Sequence, residues 1–225
     1  MTLHRPTVDY RKLRLSNLNS TEFRHLKLLL FWPVFGLAFL YVERFYPVAQ
    51  YHPVYCPLDD KIPFCEYFLV PYLFWFVFLV GMHVYLLLYD VEGFRKFENF
   101  IIFTYSVTMV VYFLYPTCQE LRPPEFARDN VFTRFLAGFY QFDTNTNVCP
   151  SMHVIGSLAV AFAAVHTPGF SAPILKAAFW ICAVLICVST VFLKQHSIID
   201  VLLALPMCAL GYWLFYCRKK RILQI

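Results

Sequence analysis

Two residues toward the end of the chain, His196 and Asp200, stand four positions apart. On one helix this spacing puts both on one face, where the carboxylate reaches an imidazole nitrogen. A carboxylate on one ring nitrogen fixes the tautomer and leaves the other nitrogen to attack or to accept a proton. An isolated His-x-x-x-Asp arises often by chance, so its company matters. Pro150-Ser151-Met152-His153 opens an apolar stretch upstream. Proline favours the first turn of a helix, with Asn147 as a candidate cap. The free backbone N–H groups at such a start bind anions, and the Ser151 hydroxyl adds a donor. His153, one turn in, is placed to give a proton to a leaving oxygen. Arg122 and Lys194 would supply positive charge for a phosphate.

These residues need elements to hold them, and the composition says which kind. Of 225 residues, 60% are hydrophobic, 15% are charged and 25 are Phe. The mean hydropathy is +0.57, whereas soluble chains carry about 25% charge. A soluble globule, a disordered chain and a disulfide-stapled mini-protein are excluded, leaving an all-α polytopic membrane bundle. Asn19 with Glu22 reads as a capping box opening a helix that runs into the first span. The spans read as about Leu26–Tyr46, Tyr67–Tyr89, Phe97–Tyr115, Met152–His166, Ala172–Leu193 and Ile198–Cys217. About 20 residues cross the roughly 30 Å hydrocarbon core, so the fourth is short.

The net charge of +5 comes from basic residues in tails and turns, where they orient the chain rather than form a nucleic-acid face. Arg5, Arg11, Lys12, Arg14, Arg24, Lys27, Arg95, Lys96, Lys176 and Arg218-Lys219-Lys220-Arg221 all fall on one side of a six-span topology. That side, with both termini, is expected to be cytoplasmic. Segments 47–66, 116–150 and 194–197 then lie outside, and with them every candidate residue above. Within 116–150, Val131, Phe132, Phe135, Leu136 and Phe139 recur at helical spacing. This predicts a short interfacial helix, acting as a surface brace or as a wall for an incoming lipid. No repeat or linker divides the chain, so 1–225 reads as a single membrane domain with a cytoplasmic tail over 1–25.

From about residue 115 to 205 the chain resembles the type 2 phosphatidic acid phosphatase superfamily, whose signatures are Lys-x6-Arg-Pro, Pro-Ser-Gly-His and Ser-Arg-x5-His-x3-Asp. Arg122-Pro123, Pro150-Ser151-Met152-His153 and Ser189, His196 and Asp200 match in order and spacing. The resemblance implies a membrane enzyme acting on a lipid phosphate or pyrophosphate without metal or cofactor. His196 would become phosphohistidine, Asp200 would hold it, and His153 would protonate the leaving group. Arg122, Ser151 and Ser189 would hold phosphate oxygens. Tyr115 stands where the family has Lys, Met152 where it has Gly, and Thr190 where it has Arg. Tyr115 could still donate a hydrogen bond, and Lys194 could replace one missing cation. The bulky third residue of Pro-Ser-Met-His resembles the branch of inositol-phosphoceramide-type synthases, where an alcohol is the acceptor, so headgroup transfer stays open beside hydrolysis.

The remaining ionisable residues have plainer readings. Cys56, Cys65, Cys118 and Cys149 could form disulfides outside, and Cys182, Cys187, Cys208 and Cys217 pack in spans. No Cys/His spacing reads as a zinc site. His83 reads as a hydrogen-bonded structural histidine, and His52 and His166 as solvated. Glu43 and Arg44 read as snorkelling at a span end, and the spans as nearly free of charge. Short turns favour a bacterial plasma membrane. The expected partners are the bilayer and a lipid phosphate whose identity stays open, as does the oligomeric state.

Overall fold

The computed structural model describes residues 6–218; Arg5, Lys219, Lys220 and Arg221, four of the orienting charges, lie outside the described residues. Helices α1 (Phe31–Arg44), α2 (Leu69–Tyr89), α3 (Val91–Leu114), α4 (Val131–Phe142), α5 (Met152–His166), α6 (Pro173–Phe192) and α7 (Ile198–Tyr212) make up the fold. The only strands among the described residues are β1 (His52–Pro53) and β2 (Thr117–Cys118), a short parallel pair. Among the described residues five stretches are long and apolar enough to cross a membrane: Arg24–Arg44, Glu66–Tyr89, Val91–Leu114, Pro173–Phe192 and Ile198–Cys217. Their outward faces carry large apolar side chains such as Val34, Leu37, Val77, Val84, Ile181 and Leu202. Such a perimeter belongs in lipid, and the protein is an integral membrane protein.

The sixth apolar helix, α5, has 15 residues and is about 22 Å long. It can be short because it is central. It packs on α2, α3, α6 and α7, and Val154, Ile155, Ala159, Val160, Ala161 and Ala164 are fully buried. Small residues let neighbouring backbones approach, as in membrane helix packing generally. At Gly156 an added Cβ would stand 2.8 Å from the Tyr105 hydroxyl and 2.9 Å from Trp75 Nε1.

Three expectations about the spans need correction. The third helix begins at Val91 rather than near Phe97, because Asp90 caps it, accepting from the Gly93 N–H at 2.8 Å. The first begins at Arg24, after Phe23, with no side-chain cap, and Asn19 and Glu22 lie in turns. Tertiary packing sets that start: Phe23 and His25 are buried, and Tyr10 hydrogen-bonds both His25 (2.9 Å) and the Leu87 carbonyl (2.6 Å). Nor are the spans nearly free of charge. Glu98 in α3 is fully buried, 3.0 Å from His83 Nε2, and accepts from Trp32 Nε1 at 3.4 Å. His83 also bonds the Leu79 carbonyl at 2.8 Å.

The ends of α1, α3 and α6 and the starts of α2, α5 and α7 share one end of the bundle, where the long loops cover it. The 116–150 segment holds the amphipathic helix expected there, α4, capped by Asn130 in a box with Thr133. Leu136 is buried against Leu69, Tyr72 and Leu193, whereas Val131, Phe135 and Phe142 are exposed. Glu66 anchors the cap, accepting from Asn130 Nδ2 at 3.0 Å and from Arg128 at 3.3 Å. All eight cysteines are free thiols, so neither Cys56 with Cys65 nor Cys118 with Cys149 is bridged.

Candidate active site

His196 does not share a helix with Asp200. It sits in the turn that joins α6 to α7, just before the cap residue Ser197. The two still meet, His196 Nδ1 to Asp200 Oδ2 at 3.0 Å, for a different reason than helical spacing. Ser197 and Asp200 form a capping box in which Asp200 Oδ2 also accepts the Ser197 N–H at 3.0 Å. A box of this kind satisfies orphan N–H groups at the helix start, and here the same oxygen holds the imidazole. The turn itself is pinned from behind. The N–H groups of Gln195 (2.9 Å) and His196 (3.1 Å) both donate to the Thr190 carbonyl, and Lys194 takes a left-handed φ of 55° to permit it.

The Pro150–His153 segment also folds differently from the expectation. Ser151, not Asn147, is the cap residue of α5, without a side-chain cap bond, and Pro150 precedes it. Asn147 is buried with a φ of 51°, a left-handed conformation that asparagine tolerates. Its Nδ2 donates to Glu43 at 2.6 Å, so it belongs to the loop that closes on α1. Tyrosines of α3 hold the segment in place: Tyr112 donates to the Pro150 carbonyl at 2.9 Å and Tyr105 to that of Met152 at 3.4 Å. The Ser151 N–H donates to the Asp200 carbonyl at 3.2 Å, joining the two motifs through the backbone.

The result is that His153 faces His196, ring centroids 5.9 Å apart. Tyr72 stacks on His153 at 4.3 Å and Trp75 lies at 4.4 Å. Both histidines line a cavity of about 410 Å³. Its apolar wall includes Trp32, Phe35, Phe39, Trp75, Phe76 and Phe139, and its polar wall includes Glu43, Asp143, Thr144, Asn147 and Gln195. Trp32 and Arg44 both line it, so it extends about 18 Å along α1. Helix α4 contributes Phe139 and Phe142 and is thus a wall of the cavity as well as a brace.

The expected phosphate-holding residues are not all brought to this wall. Arg122 lies behind it. Its guanidinium donates to the carbonyls of Tyr140 (3.0 Å), Asp143 (2.8 Å) and Thr144 (2.9 Å) and to Gln195 Oε1 (2.5 Å), and it stacks over the Tyr140 ring. Lys194 turns to the first loop, donating to the Asp59 carbonyl at 2.6 Å. Ser189 is buried and donates to the Ile186 carbonyl at 2.6 Å. Ser151 is fully buried with its hydroxyl unpartnered among the described residues. Tyr115 is exposed and stacks on the half-buried His52 at 4.0 Å. His166 is exposed, as expected, and lies 2.9 Å from the Tyr212 hydroxyl.

Several residues that shape the site carry no signal in the motifs. Glu43 does not snorkel: it accepts from Thr144, from Thr146 at 3.4 Å and from Asn147. Asp143 accepts from Tyr72 at 3.0 Å, and burial raises its carboxyl above the usual range, against the pull of Tyr72 and Arg122. Burial pulls the Arg122 guanidinium down, opposed by Asp143. It lifts the Tyr140 phenol to about 12, and burial, with Asp200 beside it, pushes the Cys149 thiol up to about 12. Fully buried Asp59, from the first loop, accepts from Ser197 Oγ (2.6 Å) and the Ile198 N–H (2.9 Å). Among the described residues no group of three His, Cys, Asp or Glu gathers to hold a metal ion.

A paired His–Asp thus faces a second histidine across a mostly apolar cavity. No curated protein and no solved structure gives a significant match to the chain. The family model described as the PAP2 superfamily matches residues 99–223, a stretch that starts in α3 and contains His153, His196, Asp200 and Arg122. With more than half of its length under that match, the chain belongs to the PAP2 superfamily, which acts as phosphatases or phosphotransferases on lipid phosphates.

Proposed function

We propose that this protein cleaves a lipid phosphate or pyrophosphate through a phosphohistidine at His196. The single observation that carries the reading is the His196–Asp200 pair at 3.0 Å with His153 across the same cavity. With Nδ1 engaged by Asp200, the other ring nitrogen of His196 attacks phosphorus, forming P–N as the P–O bond to the lipid breaks. Asp200 stabilises the imidazolium that develops. His153 gives its proton to the departing oxygen and then takes one from water as water breaks the P–N bond. Positioning and hydrogen-bond donors carry such a transfer. The aromatic stretch from Trp32 to Phe39 takes the acyl or isoprenyl chain. By the charge pattern of the turns, the site faces the extracytoplasmic leaflet with both termini cytoplasmic.

One feature favours headgroup transfer to an alcohol as a second reading. Glu43, Asp143 and Asn147 line the cavity, and such acceptors suit a hydroxyl-bearing acceptor better than water alone needs. The test is phosphate release by purified protein in lipid–detergent micelles containing phosphatidate, phosphatidylglycerol phosphate or an isoprenyl pyrophosphate, with a chelator present. Release is expected to survive chelation and to fall at least about 10⁴-fold in His196→Ala. Release undiminished in that variant would refute the mechanism. Transfer to an added alcohol without phosphate release would select the second reading.

A further inference from the structure

Beside His196, at a position the third motif leaves unspecified, stands Gln195. It is buried, 3% exposed, on the wall of the cavity. Its amide orientation is settled by chemistry. The atom 2.5 Å from the Arg122 guanidinium must be an acceptor, since a guanidinium only donates. The oxygen therefore faces Arg122, and the Nε2 amide carries two N–H donors that have no partner among the described residues. A buried donor left without a partner is costly, and an incoming acceptor removes that cost. Deepening the reading of this site as a phosphoryl-transfer centre, on which it rests, we propose that Gln195 is a phosphate-binding residue. Its Nε2 donates to a non-bridging phosphate oxygen while Arg122 acts behind it as a positioning residue.

The surroundings explain why a neutral amide would stand here. Thr190 occupies the third motif's arginine position, and Lys194 is spent on the Asp59 carbonyl. Arg122 is held by three backbone carbonyls, so its charge reaches the cavity by polarising Gln195 rather than by contact. The Thr190 carbonyl, by accepting from both the Gln195 and His196 N–H groups, fixes donor and nucleophile in one turn. A phosphate held by Gln195 is thereby presented to His196.

Gln195→Glu separates this role from a structural one. The carboxylate still accepts from Arg122, so the fold keeps its bond, but the donors become a negative charge against phosphate. The expected result is an unfolding temperature no lower than wild type, kcat/KM reduced about 10²–10³-fold, and loss of the thermal stabilisation that orthovanadate gives the wild type. Gln195→Ala is expected to lose less than Gln195→Glu. If Arg122 acts through Gln195, Arg122→Lys weakens vanadate binding in the wild type but adds little in Gln195→Ala. A wild type that turns over lipid phosphate and binds vanadate, with Gln195→Glu equal to it in both, would overturn the Gln195 assignment alone. A wild type that orthovanadate does not stabilise, and that turns over no lipid phosphate, would overturn the phosphoryl-transfer reading and this assignment with it.

Discussion

Asp143 shows how a single residue can be placed for the site at the expense of stability. Its carboxyl is held at the cavity wall by Tyr72, and burial raises its affinity for a proton. A group whose folded pKa is raised contributes stability that is complete below its unfolded value and is lost as pH rises through the folded value. At neutral pH the ionised Asp143 therefore subtracts from stability. Asn, which imitates the protonated form and can still accept from Tyr72, removes that charge. Thermal unfolding of Asp143→Asn against wild type across pH is expected to show a higher midpoint at pH 7. The gain should shrink to nothing as pH falls below the ordinary carboxylate range. A gain that is constant with pH would show that ionisation is not the cause.

At the scale of elements, the helix that carries Asp200 is capped from another part of the chain. Asp59, in the loop between α1 and α2, accepts from Ser197 Oγ and the Ile198 N–H, and its backbone holds Lys194. The carboxylate also takes the Cys56 N–H at 2.8 Å. Buried hydrogen bonds to charged groups contribute about 1.5–3 kcal/mol each, and removing a carboxylate leaves its donors unsatisfied. Asp59→Ala is therefore expected to cost about 2–4 kcal/mol of stability. Because the start of α7 loosens with it, turnover should fall as well. Equilibrium unfolding in mixed micelles beside an activity assay would check this; unchanged stability would mean that the cap is supplied by Ser197 alone.

For the whole molecule, the placement of the site at one end of the bundle makes the orientation testable. The chain ends of α1, α3 and α6 and the beginnings of α2, α5 and α7 converge there, while Asp90 joins α2 to α3 at the other end. Single cysteines introduced at exposed Leu58 in the first loop and at exposed Glu92 after α2 report the two ends. In a cysteine-free background, a membrane-impermeant thiol reagent added to intact cells is expected to label Leu58→Cys and to spare Glu92→Cys. The reverse pattern would place His196 on the cytoplasmic side and defeat the proposed leaflet.

Much of this was written in the chain itself. Apolar runs of span length can satisfy their backbone only as helices, so the helical membrane bundle was legible, as was α4 from the spacing of Phe132, Leu136 and Phe139. The pairing of His196 with Asp200 was legible because the two stand only four positions apart. Other features were not, because they depend on contacts between residues far apart in the chain. Lys194 and Asp59 are 135 positions apart, Glu43 and Asn147 104, and Arg122 and Gln195 73. Charge, and for Arg122 also the family signature, made Arg122 and Lys194 candidate phosphate ligands; the fold turned both toward carbonyls, since a buried cation must be satisfied wherever acceptors lie nearest. Glu43 read as a solvated span end until loop 143–148 closed on it. Sequence thus determined the helices and the His196–Asp200 pair, and tertiary structure decided which polar groups share the cavity with them.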